Sequence, residues 1–295
     1  MKVSFCIPLY NKANKIKNTV NSIVNVCKKN DISFEIKISN NGSTDITQHE
    51  LEELFNGFDN IKILHLPKTI SIPDNWLLAI SLAEGDIVKL HLADDILIDF
   101  NIKKMLEHFE YNCDYVIGKT KAYYEDITHM NDYFEKVNYF RSKINCLLDF
   151  KNKIKLLENE AIYLGNNVFG DINSLYFKKD NLEMLSSNVK NYQPAFRSFV
   201  DFEIMLKLFI KKNGVFYNEY ISEYHYNETS TSIRALKDEE FRYRVFGFMS
   251  KMFIYEFIHD DFYKQIINNF KFQTKTKIIW HIFKSNFKCI FFGDE

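Results

Sequence analysis

Cysteine, proline and glycine are all scarce in these 295 residues, at 5, 4 and 9 copies. The cysteines (Cys6, Cys27, Cys113, Cys146 and Cys289) stand far apart, with no C-x-x-C pair. That excludes a zinc-finger spacing, and their odd number argues against a disulfide framework. A reducing, cytoplasmic setting is the expectation. No apolar run reaches the ~18 residues needed to span a bilayer. Pro8 interrupts the opening run MKVSFCI too early for a secretory leader. Charge of either sign is not in excess: 38 Lys and Arg face 39 Asp and Glu, a net −1. Generic nucleic-acid binding, which needs a basic surplus for phosphates, is therefore not expected. No G-x-G-x-x-G follows the first apolar run, so a dinucleotide enzyme is a poor reading. What is abundant is aromatic: 28 Phe and 17 Tyr, too many for a disordered chain.

The first hundred residues alternate two periodicities. Val3 to Ile7 is a strand-like run, then Ile16, Val20, Ile23, Val24 and Cys27 recur at helical spacing. Phe34, Ile36 and Ile38 alternate with Glu35 and Lys37. Leu51, Leu54, Phe55 and Phe58 mark a helix, Ile61 to Leu66 a strand, Trp76 to Ala83 a helix, and Ile87 to Leu92 a buried strand. This β-α-β-α-β-α-β order predicts an α/β fold with a mostly parallel sheet flanked by helices. Ligands of such sheets bind at the strands' C-terminal ends. Those ends carry Pro8-Leu9-Tyr10-Asn11, Asn40-Asn41-Gly42-Ser43, Pro67-Lys68 and Ala93-Asp94-Asp95. Residues 120–165 read as an insertion or lid with partial helix. Ser174 to Phe177 reads as a strand, and Val200 to Ile210 as a helix with Gly214 as its C-cap. The residues beyond Lys237 read as helices.

Three segments bear chemistry. Asp94-Asp95, directly after a buried strand, fits either a helix N-terminus or a hard divalent cation, Mg²⁺ or Mn²⁺, held together with substrate phosphates. Asn40-Asn41-Gly42-Ser43-Thr44-Asp45 fits either a simple Asn-Gly turn, with Thr44 or Asp45 capping the next helix, or an amide that reads a nucleobase edge. Asp201 and Glu203 open a helix; they fit either charge stabilisation at its N-terminus or a general base on a rigid support. Tyr224-His225-Tyr226-Asn227 reads as the start of an ordered polar loop.

These segments, in this order, resemble the family 2 glycosyltransferases of the GT-A fold. FCIPLYNKANKIKNTVNSI is similar to that family's strand, P-x-Y-N turn and helix, and ISNNGSTD to its D-D-G-S-T-D. PDNWLLAISLAEGDIVKLHLADDIL is similar to its N-W helix, A-x-G-D strand and D-D pair. SFVDFEIMLKLFIKKNG is similar to its E-D-Y-D-L-W-L-R-L helix, and YHYNETSTS to its Y-x-x-H-x-x-S-x-S loop. The likeness runs from residue 3 to about 232. It implies that Pro8 and Tyr10 shape the nucleobase pocket, Asn41 reads the base edge, and Lys68 helps hold the nucleotide. It further implies that Asp94 meets the ribose or the metal, that Asp95 binds Mn²⁺ or Mg²⁺ through the donor diphosphate, and that Asp201 is the base that deprotonates the acceptor hydroxyl. The sequence departs from the pattern where Leu92 replaces an Asp, Asn40 and Asn41 replace acids, Val200 replaces a Glu, and Asn227 stands for the loop's His. An Asn oxygen can still accept the N3–H of uracil, so UDP-sugars are favoured. The Q-x-x-R-W motif of processive synthases is absent, which points to addition of one sugar.

The expected organisation is a nucleotide-sugar-binding half (1–118), an acceptor and catalytic-base half (119–235), and a helical extension (236–295). From Tyr263 to Gly293 the chain has no Asp or Glu, and six lysines are interleaved with Ile, Phe and Trp280. A basic amphipathic segment of this kind fits contact with the cytoplasmic face of an inner membrane, packing on the core, or pairing of two chains as a homodimer. The expected function is an inverting, metal-dependent transfer to a glycan or lipid-linked glycan acceptor in surface-polysaccharide assembly. The alternative is a catalytically silent nucleotide-sugar binder.

Overall fold

The computed structural model describes residues 1–124, 131–149, 151–153, 156, 169–186 and 200–226. The elements in chain order are β1 (Val3–Leu9), α1 (Ala13–Lys29), β2 (Phe34–Asn40), α2 (Gln48–Leu54), β3 (Ile61–His65), α3 (Ile72–Ser81), β4 (Ile87–Leu90) and β5 (Ile96–Leu97). Then come α4 (Ile102–Leu106), β6 (Tyr115–Tyr124), α5 (Asn131–Ser142), β7 (Leu175–Lys178), α6 (Leu182–Ser186), α7 (Val200–Lys211) and β8 (Gly214–Tyr226). The basic tail, Asn227 and the segment 236–295 lie outside the described residues.

One sheet of eight strands runs in the order β3-β2-β1-β4-β7-β6-β8-β5. Its first four strands are parallel, as the alternating elements predict. β7 runs antiparallel to both β4 and β6, and the long strands β6 and β8 pair in parallel. β6 crosses residues 118 and 119, so the two halves of the chain share this sheet. All seven residues of β1 are buried, as a parallel strand covered on both faces requires. Val3, Phe5, Ile7 and Leu9 pack with Ile16, Val20 and Ile23 of α1. Cys6 points the other way, into a second core with Ala79 and Ile80 of α3 and Leu206 and Phe209 of α7. The period-2 pattern of the strand and the 3.6 pattern of the helix thus meet in one seam.

At the N-terminal edge of the sheet, buried Glu35 accepts hydrogen bonds from Ser4 Oγ (2.6 Å), Lys2 Nζ (2.6 Å) and the main-chain N–H of Glu84 (2.7 Å). Burial pushes this carboxyl up, but these bonds and the nearby Lys37 outweigh it and hold it at about 2.

Four local expectations are corrected. β4 ends at Leu90, two residues earlier than Leu92, because the main chain there turns to meet Asn173. Gly214 is not a helix cap; it opens β8, and a Cβ there would lie 2.1 Å from the Tyr115 ring, so only glycine lets the two strands close at that point. Neither Thr44 nor Asp45 caps α2. Thr47 does, in a reciprocal capping box with Glu50. Tyr224 and His225 do not begin a loop; they are residues of β8 paired with Ala122 and Tyr123 of β6.

Candidate functional site

Pro8, Tyr10, Asn41, Asp94 and Asp95 stand at or just beyond the C-terminal ends of β1, β2 and β4, Lys68 follows β3, and Asp201 lies apart from them in the first turn of α7. Pro8 is buried near the end of β1, beside Ser39, and Tyr10 just beyond the strand is 47% exposed. The β1–α1 turn is laced to the β2–α2 loop. Asn11, held at a positive φ of 50°, donates its main-chain N–H to Ser43 Oγ (3.1 Å), and its Oδ1 accepts the N–H of Thr44 (2.8 Å). Asp45 Oδ2 accepts the N–H of Ala13, the first residue of α1, at 2.9 Å. Gly42 takes a φ of +64°, open to glycine at low cost, and the turn brings the loop against Lys68 and Thr69. Lys68 itself is exposed. Asn41 is buried, and both atoms of its amide bond the main chain of Ile70, at 2.8 and 3.0 Å.

Asp94 and Asp95 follow β4, and a strand, β5, comes next rather than a helix, so the helix-cap reading of the pair falls away. Asp94 Oδ2 lies 2.6 Å from Lys12 Nζ. Asp95 is 1% exposed; its Oδ2 accepts from Asn173 Nδ2 (2.6 Å) and its Oδ1 from the main-chain N–H of His225 (3.0 Å). Asn173 also accepts the N–H of Leu92 at 2.7 Å, so one side chain brackets the motif from both sides. Thr19 of α1 fixes it from below, donating to the carbonyl of Ala93 at 2.9 Å. Burial, Asp171 and Asp94 all raise the Asp95 carboxyl well above the usual range, against the two hydrogen bonds.

Behind the pair lies buried Lys89, whose ammonium bonds the carbonyl of Asn173 and sits 4.6 Å from the centre of the Tyr176 ring. Burial lowers this lysine to about 7, opposed by Asp171 and Asp95. Burial likewise pushes the Asp171 carboxyl up to about 6; Asn173 and Lys89 resist, and Asp201 adds to the rise. Asp201 lies in the first turn of α7, and burial raises it too. Its neighbour Glu203 has a structural role, pairing with Lys207 one turn on inside the core. The carboxylates therefore form an electrostatic series, Asp94, Asp95, Asp171 and Asp201, each felt by the next.

Carboxylate oxygens suit a hard divalent cation in kind. Among the described residues, however, no three His, Cys, Asp or Glu side chains are grouped to hold a metal. Asp94 and Asp95 supply two carboxylates, so a cation held there would have to take its remaining ligands from substrate oxygens. His225 touches Asp95 through its main chain alone; its ring pairs with Glu223 at 2.9 Å and lies 5.2 Å from Tyr123. Lys12, Asp171 and Asn173 were not visible as site residues in the sequence. Lys12 had a signal, standing next to the P-L-Y-N turn, whereas Asn173 lies 78 residues from Asp95 with nothing to link them.

The sequence model of glycosyl transferase family 2 matches residues 4–179. The chain belongs to that family. Among its relatives, abequosyltransferase RfbV of Salmonella typhimurium is 30% identical over 190 residues, covering 61% of this chain and 54% of the relative. An uncharacterized glycosyltransferase of Mycoplasma genitalium, MG060, is 29% identical over 161 residues, covering 52% and 49%. The chain thus spans about half the length of these curated relatives. The fold is shared with S. aureus TarS, at a TM-score of 0.59 and 17% identity, over 97% of this chain and 44% of that one. A crystal structure of TarS 1-349 in complex with UDP-GlcNAc matches equally, at 0.59 and 17%, over 97% and 73%. These likenesses confirm the α/β, GT-A architecture and the family expected from the motifs.

Proposed function

We propose that this chain is an inverting, metal-dependent glycosyltransferase that moves one sugar from a UDP-sugar to a hydroxyl of a glycan acceptor. The observation that carries the reading is Asp94-Asp95 just beyond β4, with Asp95 buried and held by Asn173 and the main chain of His225, at the end of the sheet where Pro8 and Tyr10 also stand. Pro8 and Tyr10 form the wall on which the base lies, with Asn41 and Lys68 beside it. A UDP-GlcNAc complex of a protein of the same fold, and an abequosyltransferase as a relative, support a nucleotide-sugar donor and an acceptor in surface-polysaccharide assembly. Asp94 and Asp95 would hold Mn²⁺ or Mg²⁺, which neutralises charge on the departing diphosphate.

Asp201 takes the proton of the acceptor hydroxyl. That oxygen bonds the anomeric carbon from the face opposite the diphosphate, and the carbon–oxygen bond to phosphate breaks with its electron pair going to the leaving group. A carboxyl raised above its ordinary value is a stronger base, and one positioned base contributes ~10²–10⁴-fold in rate. The expected setting is cytoplasmic. The basic tail supports a peripheral seat on the membrane face, where a lipid-linked acceptor would lie; packing on the core and pairing of two chains are the alternatives. Among the described residues no helix is long and apolar enough to cross a membrane.

The test is a thermal-shift panel of UDP, GDP, CDP, dTDP and their sugars, with and without Mn²⁺, followed by transfer and donor-hydrolysis assays of wild type and Asp201→Asn. A UDP shift that needs Mn²⁺, with turnover lost and binding kept in the variant, supports the reading. Binding with neither transfer nor hydrolysis in the wild type makes the chain a silent nucleotide-sugar binder.

A further inference from the structure

We propose that Lys12 is a charge latch on the donor site: it occupies Asp94 while no nucleotide is bound and turns to the donor's diphosphate when one arrives. The proposal rests on the donor reading above and adds to it a residue that the motifs did not assign. The geometry starts from the 2.6 Å contact between Lys12 Nζ and Asp94 Oδ2, which joins positions 82 apart in the chain. The two side chains are 36% and 24% exposed. Both charges are thus partly reached by solvent, and the lysine is not locked in the core.

Lysine is a poor choice at this position on local grounds. Residue 12 is the N-cap of α1, where Ser, Thr, Asp or Asn would satisfy an orphan N–H, and its side chain caps nothing. A cation at a helix N-terminus also opposes the helix dipole. The capping duty is met from elsewhere, since Asp45 on the neighbouring loop accepts the N–H of Ala13. Position 12 is thereby released to hold a residue that the helix itself disfavours, at the edge where the ligand binds. Local rules that break in this way mark functional positions.

The main chain on either side is pinned, through Asn11 to Ser43 and Thr44 and through Ala13 to Asp45. Only the flexible four-carbon stem of Lys12 is left to move. While its ammonium sits on Asp94 Oδ2, that oxygen is closed to a divalent cation. A nucleoside diphosphate brings more negative charge than one carboxylate. It can draw the ammonium away as it brings oxygens to complete the metal's coordination, so donor and metal enter together.

The experiment is a titration of the full chain with Mn²⁺ alone, followed by electron paramagnetic resonance, and with UDP in the presence of Mn²⁺ by calorimetry. It compares wild type, Lys12→Met, Lys12→Arg, and Lys15→Met on the exposed face of α1 as a charge control. Lys12→Met is expected to bind Mn²⁺ alone several-fold more tightly and UDP on the order of tenfold more weakly, as for loss of one charge-assisted contact. Lys12→Arg should bind UDP close to wild type, and Lys15→Met should change neither constant. Constants that stay within about twofold in Lys12→Met would make the contact an idle ion pair. Both constants weakening together, with a lowered melting temperature, would make Lys12 a structural residue. Either result overturns the latch. Failure of the wild type to take up any nucleotide in the panel overturns the donor reading itself, and is told apart by the response to Mn²⁺ alone.

Discussion

Asn41 and Ile70 hold each other by two hydrogen bonds, Oδ1 accepting the N–H at 2.8 Å and Nδ2 donating to the carbonyl at 3.0 Å. Both hydrogen-bonding atoms of the amide are thereby engaged within the protein, on the N–H and the carbonyl of one residue. The pairing ties the β2–α2 loop to the loop before α3, across a buried position where an unmet partner is costly.

Replacing Asn41 by Ala should therefore cost about 1–3 kcal/mol of stability. Urea unfolding measures the loss. Hydrogen exchange at Ile70 should quicken in the variant while exchange in β1 is unchanged, because the damage is confined to the loop.

Asn173→Ala removes the side chain that bonds both Leu92 and Asp95. Asp95 then loses one of the two hydrogen bonds that favour its charged form, while burial continues to raise it. The expected result is weaker Mn²⁺-dependent nucleotide binding whose deficit grows as pH falls. Calorimetry at pH 6 and pH 8 reads it, and an equal deficit at both would exclude the electrostatic account.

Glu35 makes a pH-dependent contribution of definite sign. Its carboxyl titrates at about 2 in the folded protein against an ordinary 4.5, so its stabilisation is complete above about 4.5 and is lost as pH falls toward 2. The shift corresponds to roughly 3 kcal/mol at neutral pH. In thermal unfolding, Glu35→Gln should melt lower than wild type at pH 7, and the two should converge as the pH drops through that window.

The basic tail gives a separate prediction. Full-length chain should co-sediment with liposomes of anionic phospholipid at low salt and be released at high salt, since each Lys near such a surface adds ~1 kcal/mol. A chain ended at residue 262 should stay in solution. Co-sedimentation unchanged by the truncation would remove the membrane from the proposal.

The parallel half of the fold was legible because its two periodicities are clean: β1, α1 and β2 follow from Val3 to Ile38 with little interference. The sheet's antiparallel half was less so. Gly214 reads as a helix stop by every local rule, and only the Tyr115 ring, 99 residues away, explains why it begins a strand. Asp94, Asp95 and Asp201 were legible as motif residues. Their partners were not, since Asn173, Asp171 and Lys89 carry no local sign that they meet Asp95. Hydrogen bonds that a motif needs from far along the chain leave no periodic trace in it.

The lacing of the β1–α1 turn to the β2–α2 loop has a consequence for how any flat ligand is received. Asn11, Ala13, Ser43, Thr44 and Asp45 fix that turn from both sides, so Tyr10 stands half-exposed on a stem that folding has already immobilised. A ring that settles on it meets a preorganised surface and orders little of the protein in doing so. Recognition at this edge should then show a small entropic cost on the protein's side, and association limited by encounter rather than by rearrangement of the turn.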